Sequence, residues 1–389
     1  MDPKTRAVTL LVGAEIAAMS LWFVASAVLG DLRSEFALSS AGAALLASSV
    51  PAGFVVGALA VAFTGLADRF DPRRVFAVAA CLAASLNAAF AWLPPGGAGS
   101  VFARFATGAA LAGVYPVGMK LVVGWGTADR GWLVGLVVGG LTLGSAAPHL
   151  LAWLGGSDWR LATLAASALA LLAAALVSRT TLGPHHAVQP RLAPRAIAVA
   201  WTDRRLRRAY AGYFGHMWEL YAMWSWIGPA LAVSYAARLD ESSAASLAKL
   251  TAFVAIGAGA LLCPPAGRLA DRIGKARLTM LVMAASGTFA VLAGVVFGGP
   301  PWLVALVVVG WGASVIPDSA QFSALVADFA PPELAGSLMS LQTALGFALT
   351  ILTVQVSPVV AAAFGWPVLF WLLALGPLFG IVSMRGLAR

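Results

Sequence analysis

GRLADRIGKAR, residues 267–277, is a short basic turn set between two long apolar runs. The tetrapeptide at its centre, LADR 269–272, also occurs at 66–69 inside TGLADRFDPRR, 203 residues earlier. Both copies connect runs of membrane-crossing length, and basic residues follow both. One charged turn repeated at one offset implies that a larger unit is repeated. Other features keep nearly the same spacing. PPGG at 94–97 and GGPP at 298–301 precede matching runs, Pro116 and Pro317 interrupt those runs, and Glu15 answers Glu219.

The apolar runs make up most of the chain. Of its 389 residues, 60% are hydrophobic and 11% charged, and the mean hydropathy is +0.88. Water-soluble domains carry about 25% charged residues, so the chain is read as a multispanning membrane protein embedded in a lipid bilayer. A helix needs roughly 20 apolar residues to cross the hydrocarbon core. Twelve stretches qualify: 8–30, 40–63, 75–93, 99–124, 131–154, 160–178, 209–236, 246–266, 278–297, 302–326, 336–360 and 366–384. Backbone groups in lipid must pair within their own segment, so an all-α membrane protein is expected. The short alternating segments of a β-barrel are absent from the sequence. The first run exceeds a signal-peptide core and further spans follow it, so it reads as a retained helix.

The net charge of +9 is distributed by side. With the loops assigned alternately, nineteen of the 25 lysines and arginines fall on the side of the two termini and four on the other, leaving Arg104 and Lys120 inside spans. The positive-inside rule then makes both termini cytoplasmic, in a cell membrane of the bacterial inner-membrane kind. Such a bias accounts for the charge without nucleic acid. The two cysteines, Cys81 and Cys263, lie in apolar runs and imply neither a disulfide framework nor a metal site. His185 and His186 belong to a polar linker. No metal, cofactor or partner subunit is expected, and a monomer is the simplest reading.

The longest hydrophilic stretch divides the chain into a six-helix bundle at 1–178, a cytoplasmic linker at 179–208 and a second six-helix bundle at 209–389. The linker ends in RAIAVAWTDRRLRR, which reads as a basic amphipathic helix lying on the inner leaflet. Two six-helix halves related by a parallel repeat form one of the main transporter architectures, with the substrate site near the midplane between them.

GRLADRIGKAR closely resembles the loop signature of the major facilitator superfamily, G-x-L-A-D-R-x-G followed by basic residues. The first-half copy departs from it at Thr64 and Asp71. A second signature, R-x-x-x-G, is present as Arg104 and Gly108. The resemblance covers the whole chain. It implies twelve helices as two pseudo-symmetric halves around a central cavity, and a carrier rather than an enzyme. It also implies a conformational latch at the loops, carried here by Asp68, Arg69, Gly267, Asp271, Arg272 and Gly274.

Five charged residues lie in span interiors, away from the ends: Glu15, Arg104, Lys120, Glu219 and Asp318. They fall on spans one, four, seven and ten, which line the cavity in the family. Charges inside a bilayer are costly and usually border a water-filled path. His216 shares the face of Glu219 at helical spacing. Desolvation favours the neutral form of a carboxylic acid, and histidine titrates near neutrality. Glu219 assisted by His216 is therefore the first candidate for proton coupling, Asp318 the second, with Arg104 in support. Plainer readings stand beside these: Glu15 reaching solvent, Arg104 and Lys120 snorkelling, and His149 packing against its neighbours. The aromatics of span seven, including Tyr213, Tyr221, Trp224 and Trp226, serve mostly as packing, with a cage for an organic cation as the alternative.

YPVGMKLVVGW, 115–125, resembles the fourth helix of the organic anion:cation symporter branch, with Lys120 at the basic position. Nitrate and nitrite porters use arginines in helices two and eight, and the apolar interiors of 40–63 and 250–266 contain none. The expected function is alternating-access, proton-coupled transport of a small organic anion, with Lys120, Glu15, His216, Tyr213 and Gln321 as substrate contacts. A proton-driven exporter of cationic or amphipathic compounds is the alternative, and a non-transporting membrane sensor the alternative of another class. No H-E-x-x-H, G-x-S-x-G or cysteine cluster supports an enzyme.

Overall fold

Alanine, leucine and valine in long runs leave the backbone to pair with itself, and in an apolar medium helices achieve this within one segment. The computed structural model describes residues 2–126, 129–186, 195–331 and 333–387, apart from the side chains at 67, 68, 195 and 197. Among the described residues every regular element is helical. Among the described residues, ten helical stretches are long and apolar enough to cross a membrane. The first and seventh spans complete the twelve. The first is broken into Pro3–Met19 and Val24–Ala27, and the short helix Leu29–Phe36 follows it on the face opposite the termini. The seventh is the continuous helix Arg204–Ala236.

Spans four and ten are also broken, as Ala98–Leu111 with Tyr115–Val123 and Pro301–Val315 with Ser319–Phe329. The prolines at 116 and 317 lie at these breaks, as expected from their inability to donate a backbone hydrogen bond. Five aspartates cap helix starts by accepting backbone N–H bonds: Asp2, Asp71, Asp158, Asp203 and Asp240. A carboxylate there satisfies orphan donors and opposes the positive end of the helix dipole. The Asp203 cap starts span seven at Arg204 rather than at the expected 209.

The linker is more ordered at its ends than a solvated connection. Arg73 donates to the Thr180 carbonyl at 3.0 Å, Trp125 to that of Thr181 at 3.3 Å, and the His185 N–H to that of Gly124 at 2.9 Å. The segment therefore lies on the end of span four. Its middle, 187–194, falls outside the described residues. The expected amphipathic helix forms at Arg195–Thr202, and its Ala196 and Ala200 are buried where it meets spans seven and eleven.

The repeat is visible in how helices approach. In the first half Gly53 and Gly57 of span two, Ser40–Thr64, meet the backbone of span four at Phe105 and Ala109. In the second half Gly312 of span ten meets the Ala255 carbonyl of span eight, Glu241–Ile273. The two halves join along span five, Arg130–Leu154, and span eight. A Cβ on Gly135 would lie 2.9 Å from the Pro264 Cα, and one on Gly139 2.9 Å from the Ala260 oxygen. Small residues let backbones touch where no water-driven collapse is available.

These two sets of contacts predict different defects. Gly57→Leu overfills a contact within one half, which costs about 1–3 kcal/mol, and is expected to lower the melting temperature and the monodisperse yield. Gly139→Leu wedges apart a seam between halves, and is expected to leave each half folded while abolishing the closed arrangement. Size-exclusion profiles beside distance measurements across the 139–260 seam check both outcomes.

Candidate functional site

Breaking the first span frees carbonyl oxygens in a medium that offers no water, and each must find a donor. Arg104, fully buried on span four, supplies them. Its Nη2 donates to the carbonyls of Leu21 and Trp22, each at 2.8 Å, and its Nη1 donates to the Asn87 side-chain oxygen. Asn87 in turn donates to the Thr163 carbonyl and the Ser167 hydroxyl, both at 2.9 Å. Arg104 therefore does not snorkel. It ties spans one, three, four and six together and fixes the bend that carries Trp22.

Trp22 projects into a tetrad of rings drawn from both halves. Its centroid lies 5.0 Å from Phe54, 5.7 Å from Tyr221 and 5.6 Å from Phe347. Phe54 and Phe347 are 4.7 Å apart, and Tyr221 and Phe347 5.1 Å. Phe23 and Trp224 extend the cluster, 5.7 Å from each other. Tilted and edge-to-face contacts at these separations are favourable beyond the area they bury.

Toward the basic face the site becomes ionisable. His216 Nδ1 lies 3.1 Å from Asp318 Oδ1, with both side chains at 2% exposure or less. Asp318 occupies the break in span ten, where the helix restarts at Ser319. Tyr213 stacks on His216 at 6.2 Å and Phe322 lies 5.2 Å from it, while Gln321 is buried one turn beyond Asp318. Glu219 is placed elsewhere. It accepts hydrogen bonds from Trp311 Nε1 at 2.6 Å and Ser286 Oγ at 3.0 Å, joining spans seven, nine and ten. The histidine thus faces Asp318 and not Glu219. Glu15 is buried against Gly118 of span four and Gly140 of span five. Lys120 is half-buried near the end of Tyr115–Val123.

Several buried polar atoms have no hydrogen-bond partner: both oxygens of Glu15, both ring nitrogens of His149, the indole nitrogens of Trp22 and Trp224, Ser225 Oγ and the Gln342 amide. Leaving such a group unpaired costs about 1–3 kcal/mol. These groups lie on spans one, five, seven and eleven, each of which touches the opposite half. Polar groups between lipid-facing spans show no such concentration among the described residues.

On the basic face the second copy of the loop motif reaches across the halves. Asp271 Oδ2 would lie 3.7 Å from a Cβ on Gly131, beside the N-terminal turn of span five, where a carboxylate is favoured by the helix dipole. The Arg268 guanidinium lies 3.9 Å over the Trp132 ring, and a Cβ on Gly267 would lie 3.1 Å from the Gly131 carbonyl. Gly274 takes a φ of 93° to end the helix, a conformation that favours glycine. In the first copy, Arg69 is exposed and the Asp68 side chain lies outside the described residues. Asp71 there caps span three and binds Arg73 at 2.7 Å, and the Arg73 hydrogen bond holds its carboxyl below the usual carboxylate range.

The opposite face is closed by contacts that sequence reading passed over. Lys249 Nζ binds Asp31 at 2.8 and 3.2 Å and the Gly156 carbonyl at 2.8 Å, and Trp153 donates to Ser246 at 3.1 Å. In the sequence these are ordinary charges at the ends of spans. Only their separation of 218 residues, closed by the fold, makes them a lock.

The chain belongs to the major facilitator superfamily, whose sequence profile it matches over residues 10–347 and 220–388. Among solved structures it is similar to the E. coli xylose transporter XylE in a partially occluded inward-open conformation. That match has 14% identity, 99% coverage of this chain, 98% coverage of that one and a TM-score of 0.76. It is also similar to a point mutant of the nucleoside transporter NupG, at 14% identity, full coverage of both chains and a TM-score of 0.71. No curated protein matches it in sequence. The protein is a multi-pass membrane transporter of small molecules and not an enzyme.

Burial raises the Asp31 carboxyl above its ordinary value, against the lowering effect of Lys249. A raised acid binds its proton more tightly in the closed arrangement than when solvated. Closure at this face is therefore fully favoured below the ordinary carboxylate value and weakens as pH rises through the raised one. Asp31→Asn keeps an acceptor for Lys249 but removes the titrating charge, and is expected to make closure independent of pH. The spacing of spin labels placed on either side of this contact, followed from about pH 4 to 8, a range that spans the carboxylate titration, should widen with pH in the parent and stay constant with Asp31→Asn.

Proposed function

We propose that this chain works by alternating access as a proton-coupled carrier of a small organic anion, with its basic face toward the cytoplasm of a bacterial cell. The observation that carries the coupling is the His216–Asp318 contact, buried at the break in span ten and joining it to span seven. Arg104 and Glu219 are each held by fixed protein partners, so neither is assigned the proton. Asp318 carries it, and His216 sets when it leaves. An anion entering a low-dielectric core is accepted only when the carboxyls already there are protonated, because two unpaired negative charges repel strongly in such surroundings. Substrate and proton then travel together. Lys120, near the basic-face end of span four, receives the anion as it leaves the centre. The Glu15 carboxyl, whose oxygens are both unbonded, favours a second reading in which a cation is exported against protons.

Two substitutions separate the carboxylates. Asp318→Asn is expected to abolish uphill uptake driven by a pH gradient while substrate exchange continues. Glu219→Gln should lower the melting temperature by loosening the Trp311 and Ser286 bonds and leave coupling intact. Proteoliposome uptake with and without an imposed gradient checks both. Uphill uptake that survives in Asp318→Asn and disappears in Glu219→Gln reverses the assignment.

A further inference from the structure

We infer that the transported anion is a compact aromatic carboxylate. It binds where the rings of Trp22, Phe54, Tyr221 and Phe347 meet, and the indole N–H groups of Trp22 and Trp224, together with His149, receive its carboxylate. This rests on the carrier reading above and names its substrate class.

The tetrad belongs to neither half alone. Trp22 and Phe54 come from the first six spans, Tyr221 and Phe347 from the last six. Ring faces that touch one another at 4.7–5.7 Å when the halves meet are offered to a ligand when the halves part. A flat ring inserted there keeps the aromatic contacts that parting would lose. An aliphatic body of equal size does not.

The polar groups around the tetrad specify the other end of the ligand. Trp22 belongs to the tetrad itself, and Trp224 lies 5.7 Å from Tyr221. Both indole nitrogens are buried without a partner. An indole N–H donates and cannot accept, so its partner must bring an acceptor. His149 adds a further donor. Its ring packs against span seven at Gly228, where a Cβ would lie 3.4 Å from the imidazole, one helical turn beyond Trp224. Neither of its nitrogens is bonded, and the Ser225 hydroxyl on the same span is also unbonded. These donors come from spans one, five and seven, and the two indoles border the same ring, Tyr221. A carboxylate, with two oxygens and about four lone-pair directions, fits such a set. An amine would leave both indole N–H groups unpaired.

The purified full chain tests this with three probes: benzoate, cyclohexanecarboxylate and benzylamine, followed by tryptophan quenching and thermal shift. Benzoate is expected to bind, cyclohexanecarboxylate to bind about tenfold more weakly for loss of ring contacts, and benzylamine not to compete. Trp22→Phe keeps a ring and removes the N–H, and should weaken benzoate about tenfold, as loss of one hydrogen bond to a charged group implies. Phe347→Leu keeps the bulk and removes the ring, and should erase the preference for benzoate over cyclohexanecarboxylate. Equal binding of the two carboxylates, stronger binding of benzylamine, or no binding of benzoate overturns the inference. A pH-sensitive dye in proteoliposomes separates it from the carrier reading. Benzoate uptake without proton uptake refutes the coupling and leaves the site, whereas proton-coupled uptake of an aliphatic anion refutes the site and leaves the coupling.

Discussion

The guanidinium of Arg104 donates to two carbonyls that the first span would otherwise leave unpaired in the bilayer interior. A continuous helix needs no such donor. The break at 20–23 is tolerated because a charge on span four satisfies it, and the break sets Trp22 and Phe23 toward the opposite half. Asn87 fixes the guanidinium in turn, so a peripheral helix, span three, helps to hold the shape of a central one. The second half lacks this device. Its seventh span runs unbroken, and its buried charge is an acid held by Trp311 and Ser286. The two halves of one repeat thus hold their buried charges differently, one pairing a guanidinium with main-chain carbonyls and the other a carboxylate with side-chain donors.

The two faces are closed by different physics. On the basic face the seam is glycine against backbone, with Asp271 beside a helix start and Arg268 stacked on Trp132. On the opposite face it is an ion pair and an indole hydrogen bond. These contacts do not depend on deeply interlocking apolar side chains.

Twelve spans, the repeat, the breaks at Pro116 and Pro317 and the clustering of charges on spans one, four, seven and ten are legible because each leaves a local signal: length, offset, residue type. The partners are not. Glu219 and His216 share a helix face, and spacing alone makes them a pair; the fold turns one toward spans nine and ten and leaves the other beside Asp318. In the sequence Trp22, Phe54 and Phe347 are packing residues scattered over three helices, and only tertiary structure gathers them. The Asp31–Lys249 contact leaves no signal at all, since each charge is ordinary at the end of its own span. Arg104 carries a motif that marks it as special without showing that backbone carbonyls are its targets.

The glycines of span five have a mechanical meaning. Where Gly135 and Gly139 meet Pro264 and Ala260, two rods touch through their main chains, with almost no side chains between them. Such a contact has no rotamers to reset and no knobs to lift from holes. In the alternating-access cycle proposed above, such a contact would act as a bearing, and the resistance to motion would fall on the aromatic tetrad and the charged contacts rather than on this seam.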